Sequence, residues 1–470
     1  MCSINGVYKG NGSITQEEWD NFSTICSKAK HRGRDSFGYC AFDSFGEIVA
    51  VQRSAKKFLA HTQLNIEYPD SPVCFVMSNN RAEPTTEFVS DKDPKDVQPY
   101  KSTNGRFYVV HNGTIANDKE LKVKYEMSLP TDIDSAVIPE LFFKKFGKED
   151  KLDVEKVASV LREELVGSYS LCVYDKEEPD ALYLATNYKP LYIERVGDCL
   201  YFTSLKEFFG GVHSLCYLHR NIAQVPPYSV VKIKGLSLNV ASLREPSSEV
   251  KKALVVCSGG LDSTTVAKKM QNDGYDVTLL HFQYSCNAEG REVQAIKDIA
   301  KDMKVPYMFV KTDIFKDVIQ HSPILDPNSE IAEGDKGVEF AHEWVPARNL
   351  IMLSIATGIA EAKGFDVIAL GNNLEESGAY PDNEEIFIHK FAEVLPYAVN
   401  CNAKVEVVMP LGNLMKHEIV ALGVSLKAPL DKTWSCYHNG ELHCGKCGPC
   451  KMRRTAFQML DIPELITYQG

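Results

Sequence analysis

One stretch limits the fold of this 470-residue chain more than any other. The apolar run Ala253-Leu254-Val255-Val256-Cys257 leads directly into Ser258-Gly259-Gly260-Leu261-Asp262-Ser263. A short buried strand therefore enters a glycine-rich turn, and the pattern predicts a helix from near Asp262. Backbone amides freed by such a turn form a concave anion site, and the helix N-terminus adds positive potential. The hydroxyls of Ser258, Ser263 and Thr264 add donors. The arrangement suits a pyrophosphate, yet it lacks the lysine and the spacing of the common P-loop. The plain alternative is a strand–turn–helix corner whose glycines serve geometry alone.

The surroundings extend this reading. Beyond residue 252, candidate strands Ala253–Cys257, Val277–Phe282, Tyr307–Val310 and Val367–Leu370 alternate with candidate helices Ser263–Asn272, Arg291–Met303 and Leu350–Lys363. That order implies a parallel, doubly wound α/β sheet covered by helices on both faces. Phosphate then binds at the carboxyl ends of the strands. The first half reads differently. Short alternating strands (Phe107–Val110, Leu171–Tyr174, Ala181–Leu184) mix with helical periodicity at Glu17–Lys30, Ile133–Phe146 and Val154–Leu165, an α+β pattern. The polar segment Ser242–Glu249 marks a linker, so the division expected is 1–241, a linker at 242–252, and 253–470.

Bulk properties narrow the function. The formal net charge of −11 argues against broad, non-specific binding of nucleic acid. The N-terminus, Met1-Cys2-Ser3-Ile4-Asn5-Gly6, shows no signal-peptide pattern, and no apolar run has the length of a membrane span. A cytoplasmic protein is expected. Its 14 cysteines are then thiols or metal ligands rather than disulfides.

Cys2 becomes the first residue once Met1 is removed. An N-terminal cysteine carries its own base, because its free amine has a pKa of about 8 and is partly neutral near pH 7. That amine takes the thiol proton, through a water, at the moment of attack. Alone, the position proves little. Its company is His31-Arg32-Gly33-Arg34-Asp35-Ser36-Phe37-Gly38, His111-Asn112-Gly113-Thr114-Ile115-Ala116-Asn117 and Thr131-Asp132-Ile133-Asp134, in that order. With Cys2, these strings resemble the class II glutamine amidotransferases, a branch of the N-terminal nucleophile hydrolases, over roughly residues 2 to 205. The resemblance implies a four-layer αββα domain in which Cys2 attacks the glutamine side-chain amide. It matches Asn112 and the amide of Gly113 to the oxyanion hole. Asp132 matches the residue that holds the glutamine amino group, and Arg81 the one that holds its carboxylate. Some relatives place a His-Thr-Arg string where this chain has Asn79-Asn80-Arg81. His31, Arg32 and Asp35 read as loop ties near the nucleophile.

In the C-terminal half, Cys436, Cys444, Cys447 and Cys450 offer four soft ligands on a glycine-rich knuckle, which suits tetrahedral zinc (Zn2+). Four thiolates leave no open position, so the metal is structural, and His438 and His443 read as non-ligands. Iron–sulfur and redox-pair readings remain as alternatives. The glycine-rich turn is similar to the PP-loop of ATP pyrophosphatases (adenine nucleotide alpha hydrolase-like). Together with the knuckle, Trp344-Val345-Pro346-Ala347-Arg348-Asn349 and Gly378-Ala379-Tyr380-Pro381-Asp382-Asn383-Glu384-Glu385-Ile386-Phe387, it resembles the 7-cyano-7-deazaguanine synthases of the queuosine pathway over about residues 253 to 465.

That resemblance implies that Ser258, Gly259, Gly260, Leu261, Asp262 and Ser263 hold the ATP phosphates, with Mg2+ neutralising charge. Asp262 serves the helix N-cap as well. Arg348 and Asn349 meet phosphate or the substrate carboxylate, while Tyr380 and Asp382 stack on or hydrogen-bond the deazaguanine. Trp344 and Tyr380 also read as core aromatics, and Lys416 as either a site residue or a solvated helix lysine. The function expected is ATP-dependent amidation of 7-carboxy-7-deazaguanine to its amide or nitrile, by a C–N ligase fed with ammonia from glutamine through an internal path. The alternatives are an archaeosine-type synthase that makes a formamidine on a free base, tRNA or DNA, an asparagine synthetase, and a non-catalytic descendant. A homodimer is a further expectation.

Overall fold

The computed structural model describes all residues except 1, 57–63, 65, 83–92, 150, 211–221, 236, 245–249, 320–321, 327, 332–342, 378–379, 401–403 and 470. Residues 245–249 of the expected linker, and Gly378-Ala379 of the Tyr-Pro-Asp string, lie outside the described residues. The chain divides into two compact units, Met1–Glu245 and Pro246–Gly470.

The first unit contains strands β1 (Ser3–Lys9), β2 (Ser36–Phe42), β3 (Ile48–Ser54), β4 (Phe75–Arg81), β5 (Tyr100–Lys101), β6 (Phe107–Ile115), β7 (Gly167–Asp175), β8 (Ala181–Thr186), β9 (Tyr192–Val196), β10 (Cys199–Thr203), β11 (Ile222–Gln224), β12 (Ser229–Lys234) and β13 (Ser237–Ser242). Its helices are α1 (Gln16–Ala29), α2 (Asp118–Lys124), α3 (Val137–Phe146) and α4 (Val154–Glu164). One antiparallel sheet runs β11-β9-β10-β1-β4-β2-β3 and the other β13-β12-β8-β7-β6-β5. Their facing sides interdigitate through Ile4, Phe42, Met77, Val110, Tyr174 and Leu184. On the outer face of the first sheet, Trp19, Phe22 and Ile25 of α1 bury against Val7, Phe37 and Tyr201. Thr15 caps α1 in a reciprocal capping box with Glu18. Helices α3 and α4 cover the outer side of the second sheet. The result is the expected αββα sandwich, held by period-two strands that bury both faces.

Strand boundaries are where the sequence reading falls short. It ended a strand at Val110, but β6 continues through Asn112 and Gly113 to Ile115. The polar residues His111 and Asn112 follow no alternation rule there, because they are buried and bonded to Ser135 and Ser204.

In the second unit, β14 (Lys252–Val256), β15 (Asp276–Gln283), β16 (Tyr307–Lys311), β17 (Val367–Ala369) and β18 (Glu406–Val408) form a wholly parallel sheet in the order β16-β15-β14-β17-β18. Its helices are α5 (Leu261–Asn272), α6 (Glu289–Met303), α7 (Arg348–Lys363), α8 (Leu374–Ser377), α9 (Glu385–Ala398), α10 (Lys416–Ser425) and α11 (Gly448–Met459). Val266, Ile299, Val420 and Phe457 pack on one face with Ala253 and Val255. Leu353, Ala356 and Ile388 pack on the other with Leu254 and Ile368. The strand order reverses between β14 and β17, and a crevice opens at their carboxyl ends, the usual ligand position in such sheets.

Candidate functional site

Cys2 is half-buried and immediately precedes β1. Its Sγ lies 3.6 Å from the Ala82 carbonyl, and its own carbonyl accepts from Arg32 Nε at 2.9 Å. The Arg32 loop is clamped elsewhere too. The Asp35 amide donates to Arg81 O at 2.8 Å, and a Cβ on Gly33 would stand 2.2 Å from Asn80 O. Ser204 joins β1 of one sheet to β6 of the other. Its hydroxyl accepts from the Ile4 amide at 3.1 Å and from Asn112 Nδ2 at 3.5 Å. Gly113 follows at a φ of +151°, where a Cβ would meet the Ser168 carbonyl at 1.8 Å. Only glycine tolerates that approach.

Arg81 is buried, and its Nη1 donates to Asp96 O at 3.3 Å. The Asp96 carboxylate accepts from Thr131 Oγ1 at 2.6 Å, so the Thr131–Asp134 turn and Arg81 share one anchor. Asp132 is exposed beside it. The neighbouring Asp134 instead secures the backbone, accepting from the Ile115 amide at 2.6 Å. His111 is fully buried between Ser135 and Ser168, and burial lowers its pKa. Two features escaped the sequence reading. A buried polar net (Ser3, Asn5, Ser78, Asn80, Thr203) underlies β1, with Asn5 Nδ2 donating to Asn80 Oδ1 at 3.0 Å. Lys189 is held below the usual lysine range by burial and by the charge of Arg32.

In the second unit, the carboxyl ends of β14 and β17 border a cavity of about 250 Å³. Ser258, Gly260, Leu261, Asp262 and Ser263 line it from one strand end, Gly371 and Asn372 from the other. Gly259 adopts a φ of +83°, and its carbonyl accepts from the Trp434 amide at 2.8 Å. The turn is thereby fixed with the first-turn amides of α5 facing the crevice, where no intrahelical carbonyl serves them. Two sequence expectations are corrected here. Gly260, not Asp262, occupies the N-cap of α5, with no side-chain cap. The Thr264 hydroxyl donates to Gly260 O at 2.7 Å, within its own helix, and is no ligand donor.

Asp262 turns instead toward Lys416, whose Nζ lies 2.5 Å from Asp262 Oδ2 and 3.0 Å from Glu376 Oε1. Burial disfavours the ammonium, but the two carboxylates outweigh it and hold Lys416 above the usual lysine range. Lys416 is therefore a buried wall residue of the cavity, not a solvated lysine. The second Asp262 oxygen, Oδ1, has no hydrogen-bond partner. That orphan carboxylate oxygen beside the glycine-rich turn is the donor type Mg2+ takes.

Arg348 and Asn349 open α7 and line the same cavity. Burial opposes the Arg348 charge, yet Tyr284, Tyr437 and Asp382 keep it firmly protonated. Asp382 accepts from the Asn349 amide at 3.0 Å. Asn349 Nδ2 also reaches Asp382 O and Asn383 Oδ1, at 3.2 and 3.0 Å. Asp382 thus positions the start of α7 behind the cavity wall. Tyr380 stacks with Trp344, centroids 6.3 Å apart, and its hydroxyl donates to Glu343 at 3.4 Å. Among the described lining residues the cavity shows Asn383 rather than Tyr380 or Asp382.

The four cysteine Sγ atoms, 436, 444, 447 and 450, lie within 4.8 Å of one another. The 444–450 and 436–447 pairs are 3.9 and 4.0 Å apart, close to the roughly 3.8 Å edge of a tetrahedron with zinc–sulfur bonds of about 2.3 Å. Backbone amides of His438, Cys444 and Cys447 point at these sulfurs from 3.3–3.4 Å, as thiolates require. The donor set fits zinc. His443 lies outside it, with its Nε2 accepting from the Ser435 amide at 3.1 Å and its ring 4.2 Å from Trp434.

Fold and site define a glutamine amidotransferase unit joined to a PP-loop unit with a zinc-type cysteine cluster. Comparison agrees: residues 252–461 match the model of the queuosine biosynthesis protein QueC, and residues 85–209 that of a glutamine amidotransferase domain. The chain is 42% identical to a 7-cyano-7-deazaguanine synthase 2 of Sulfurisphaera tokodaii, covering 100% of both. It is 43% identical to a 7-cyano-7-deazaguanine synthase of Saccharolobus solfataricus, covering 100% of this chain and 99% of the relative. A synthase of Methanothrix thermoacetophila, 40% identical, is matched over 99% of its own length by 46% of this chain. This chain belongs to the 7-cyano-7-deazaguanine synthase family. No helix among the described residues is long and apolar enough to cross a membrane.

Proposed function

We propose that this protein is a glutamine-dependent, ATP-consuming enzyme that converts 7-carboxy-7-deazaguanine to its 7-amide and onward to the 7-nitrile. With Met1 removed, Cys2 Sγ attacks the glutamine amide carbon and its own amine accepts the thiol proton. Asn112 Nδ2 and the Gly113 amide hold the developing oxyanion. Arg81 and Asp132 grip the two charged ends of glutamine. Ammonia leaves, and water then releases glutamate.

In the second unit, Ser258–Ser263 hold the ATP phosphates. Asp262 and Lys416 border the same cavity, and Mg2+ on Asp262 would screen phosphate charge. A substrate carboxylate oxygen, oriented by Arg348 and Asn349, attacks the α-phosphorus and pyrophosphate departs. Ammonia adds to the acyl-adenylate carbon, and AMP leaves with one proton lost from nitrogen. Repetition on the amide oxygen expels AMP and a further proton to leave the nitrile. Ammonium cannot attack an adenylate, and neutral ammonia is scarce near pH 7. Delivery of nitrogen inside the molecule, away from water, therefore belongs to this proposal. Zinc in the knuckle would serve the fold, not the reaction.

The observation that carries this reading is a cavity of the second unit that gathers the Ser258–Ser263 turn, Lys416 and Arg348 around one volume. The end-to-end similarity to 7-cyano-7-deazaguanine synthases supports the choice of substrate. The test is mass spectrometry of products after incubation with amide-labelled glutamine, ATP and each candidate base. The expected result is labelled amide and nitrile from the 7-carboxylate. A labelled formamidine made from the 7-nitrile alone would replace this reading with the archaeosine-type one.

A further inference from the structure

Next to the Ser258–Ser263 turn, the cavity lining includes His281 on β15 and Glu292 on α6, and a Cβ on Gly259 would stand 3.1 Å from the Glu292 carbonyl. The His281 side chain is 2% exposed. Its Nδ1 lies 2.9 Å from the Cys257 carbonyl, which only accepts, so Nδ1 is the protonated nitrogen. Burial lowers the His281 pKa, so the ring is neutral and Nε2 presents a bare lone pair. That nitrogen has no hydrogen-bond partner. Glu292 Oε2 stands 3.9 Å from it, and the only hydrogen bond this carboxyl receives among those resolved comes from the Cys286 thiol at 3.6 Å. Burial pushes the Glu292 carboxyl up to about 7, with Glu289 adding to the effect and Arg348 opposing it. With Glu292 ionised, its carboxylate and His281 Nε2 are two neighbouring acceptors, met among the described hydrogen bonds only by the weak Cys286 thiol donor. Leaving such groups unpaired beside a polar ligand is costly, so the ligand must supply N–H donors here.

We infer that His281 Nε2 and the Glu292 carboxylate read the Watson–Crick edge of the deazaguanine, accepting hydrogen bonds from its ring N1–H and exocyclic 2-amino group. This rests on the function proposed above. A guanine-type edge carries two adjacent donors and suits a carboxylate. An adenine edge alternates a donor with an acceptor and leaves one wall group unpaired. The two residues are specificity determinants, distant in role from the activated 7-substituent.

The test compares the 7-carboxy-7-deazaguanine substrate with its analogue lacking the 2-amino group, in the unaltered protein and in Glu292→Gln. For the unaltered protein, the KM of the analogue is expected to exceed that of the substrate by about 10–100-fold. In Glu292→Gln the substrate KM rises by a similar factor, the gap between the two bases shrinks to about threefold or less, and the KM for ATP stays within about twofold. A rise confined to the ATP KM would assign this wall to the nucleotide and overturn the inference. Equal use of both bases by the unaltered protein would overturn it even if Glu292→Gln failed to fold. Failure of the unaltered protein to convert any deazaguanine would instead strike the proposed function.

Discussion

At the scale of single residues, the account turns on groups whose environment leaves little choice. Gly113 is one: its φ of +151° and the 1.8 Å approach of Ser168 O exclude any side chain. Gly113→Ala is expected to lower glutamine hydrolysis by about 100-fold or more, by displacing an oxyanion donor, while ATP–pyrophosphate exchange in the other unit persists. Glu292 is another. Its carboxyl in the folded protein titrates near 7, above the ordinary 4.5. Between those values the native state holds a proton that the unfolded chain has lost, so stability falls as pH rises through that window. Glu292→Gln cannot ionise. Denaturant unfolding of the ligand-free protein at pH 5 and pH 8 should therefore show a smaller loss in the variant, by about 2–3 kcal/mol. An identical loss in both proteins would place Glu292 in water. Residues such as Cys2, Asn112, Gly113 and Ser258 were legible because short ordered strings carry them. His281, Glu292 and Glu376 were not, since each is a common residue in an ordinary strand or helix. Only the parallel sheet brings them to one crevice.

At the scale of elements, the sequence predicts α5, α6, α7 and four of the five strands of the second unit, while α8, α9, α10 and α11 carry no expectation in it. The predicted helix Leu350–Lys363 begins two residues earlier, at Arg348, and the strand expected at Tyr307–Val310 extends by one, to Lys311. Alternating apolar runs and amphipathic helices leave a parallel sheet as the simplest way to bury both. The short β18 was missed, because three residues carry no periodicity. In the first unit, β1 and β4 escaped notice because Asn5, Ser78 and Asn80 place polar residues inside the sheet, where they bond one another. Helix α10 joins the site through Lys416, and the start of α11 carries two of the four cysteines. Lys416→Met would leave the part-buried carboxylates of Asp262 and Glu376 without their cation. A loss of about 1–3 kcal/mol, together with a raised KM for ATP, is expected from denaturation and kinetics. Cys447→Ser should lower the Tm of the second unit by about 10 °C or more if the cluster holds zinc. It should weaken ATP use as well, since the Trp434 amide on the knuckle side supports the Gly259 carbonyl. Full activity with unchanged Tm would deny the metal a structural role.

At the scale of the whole molecule, the chain joins two compact units. Each unit has its own core and its own polar site. The change from short alternating strands to a strand–helix order, across the polar segment Ser242–Glu249, predicts two domains in the sequence. The decisive measurement compares glutamine with ammonium salts as nitrogen source in the unaltered protein and in Cys2→Ala, following the labelled deazaguanine product. The account predicts that the variant makes no product from glutamine and near-normal product from ammonium at raised pH. Undiminished product from glutamine in Cys2→Ala would contradict it.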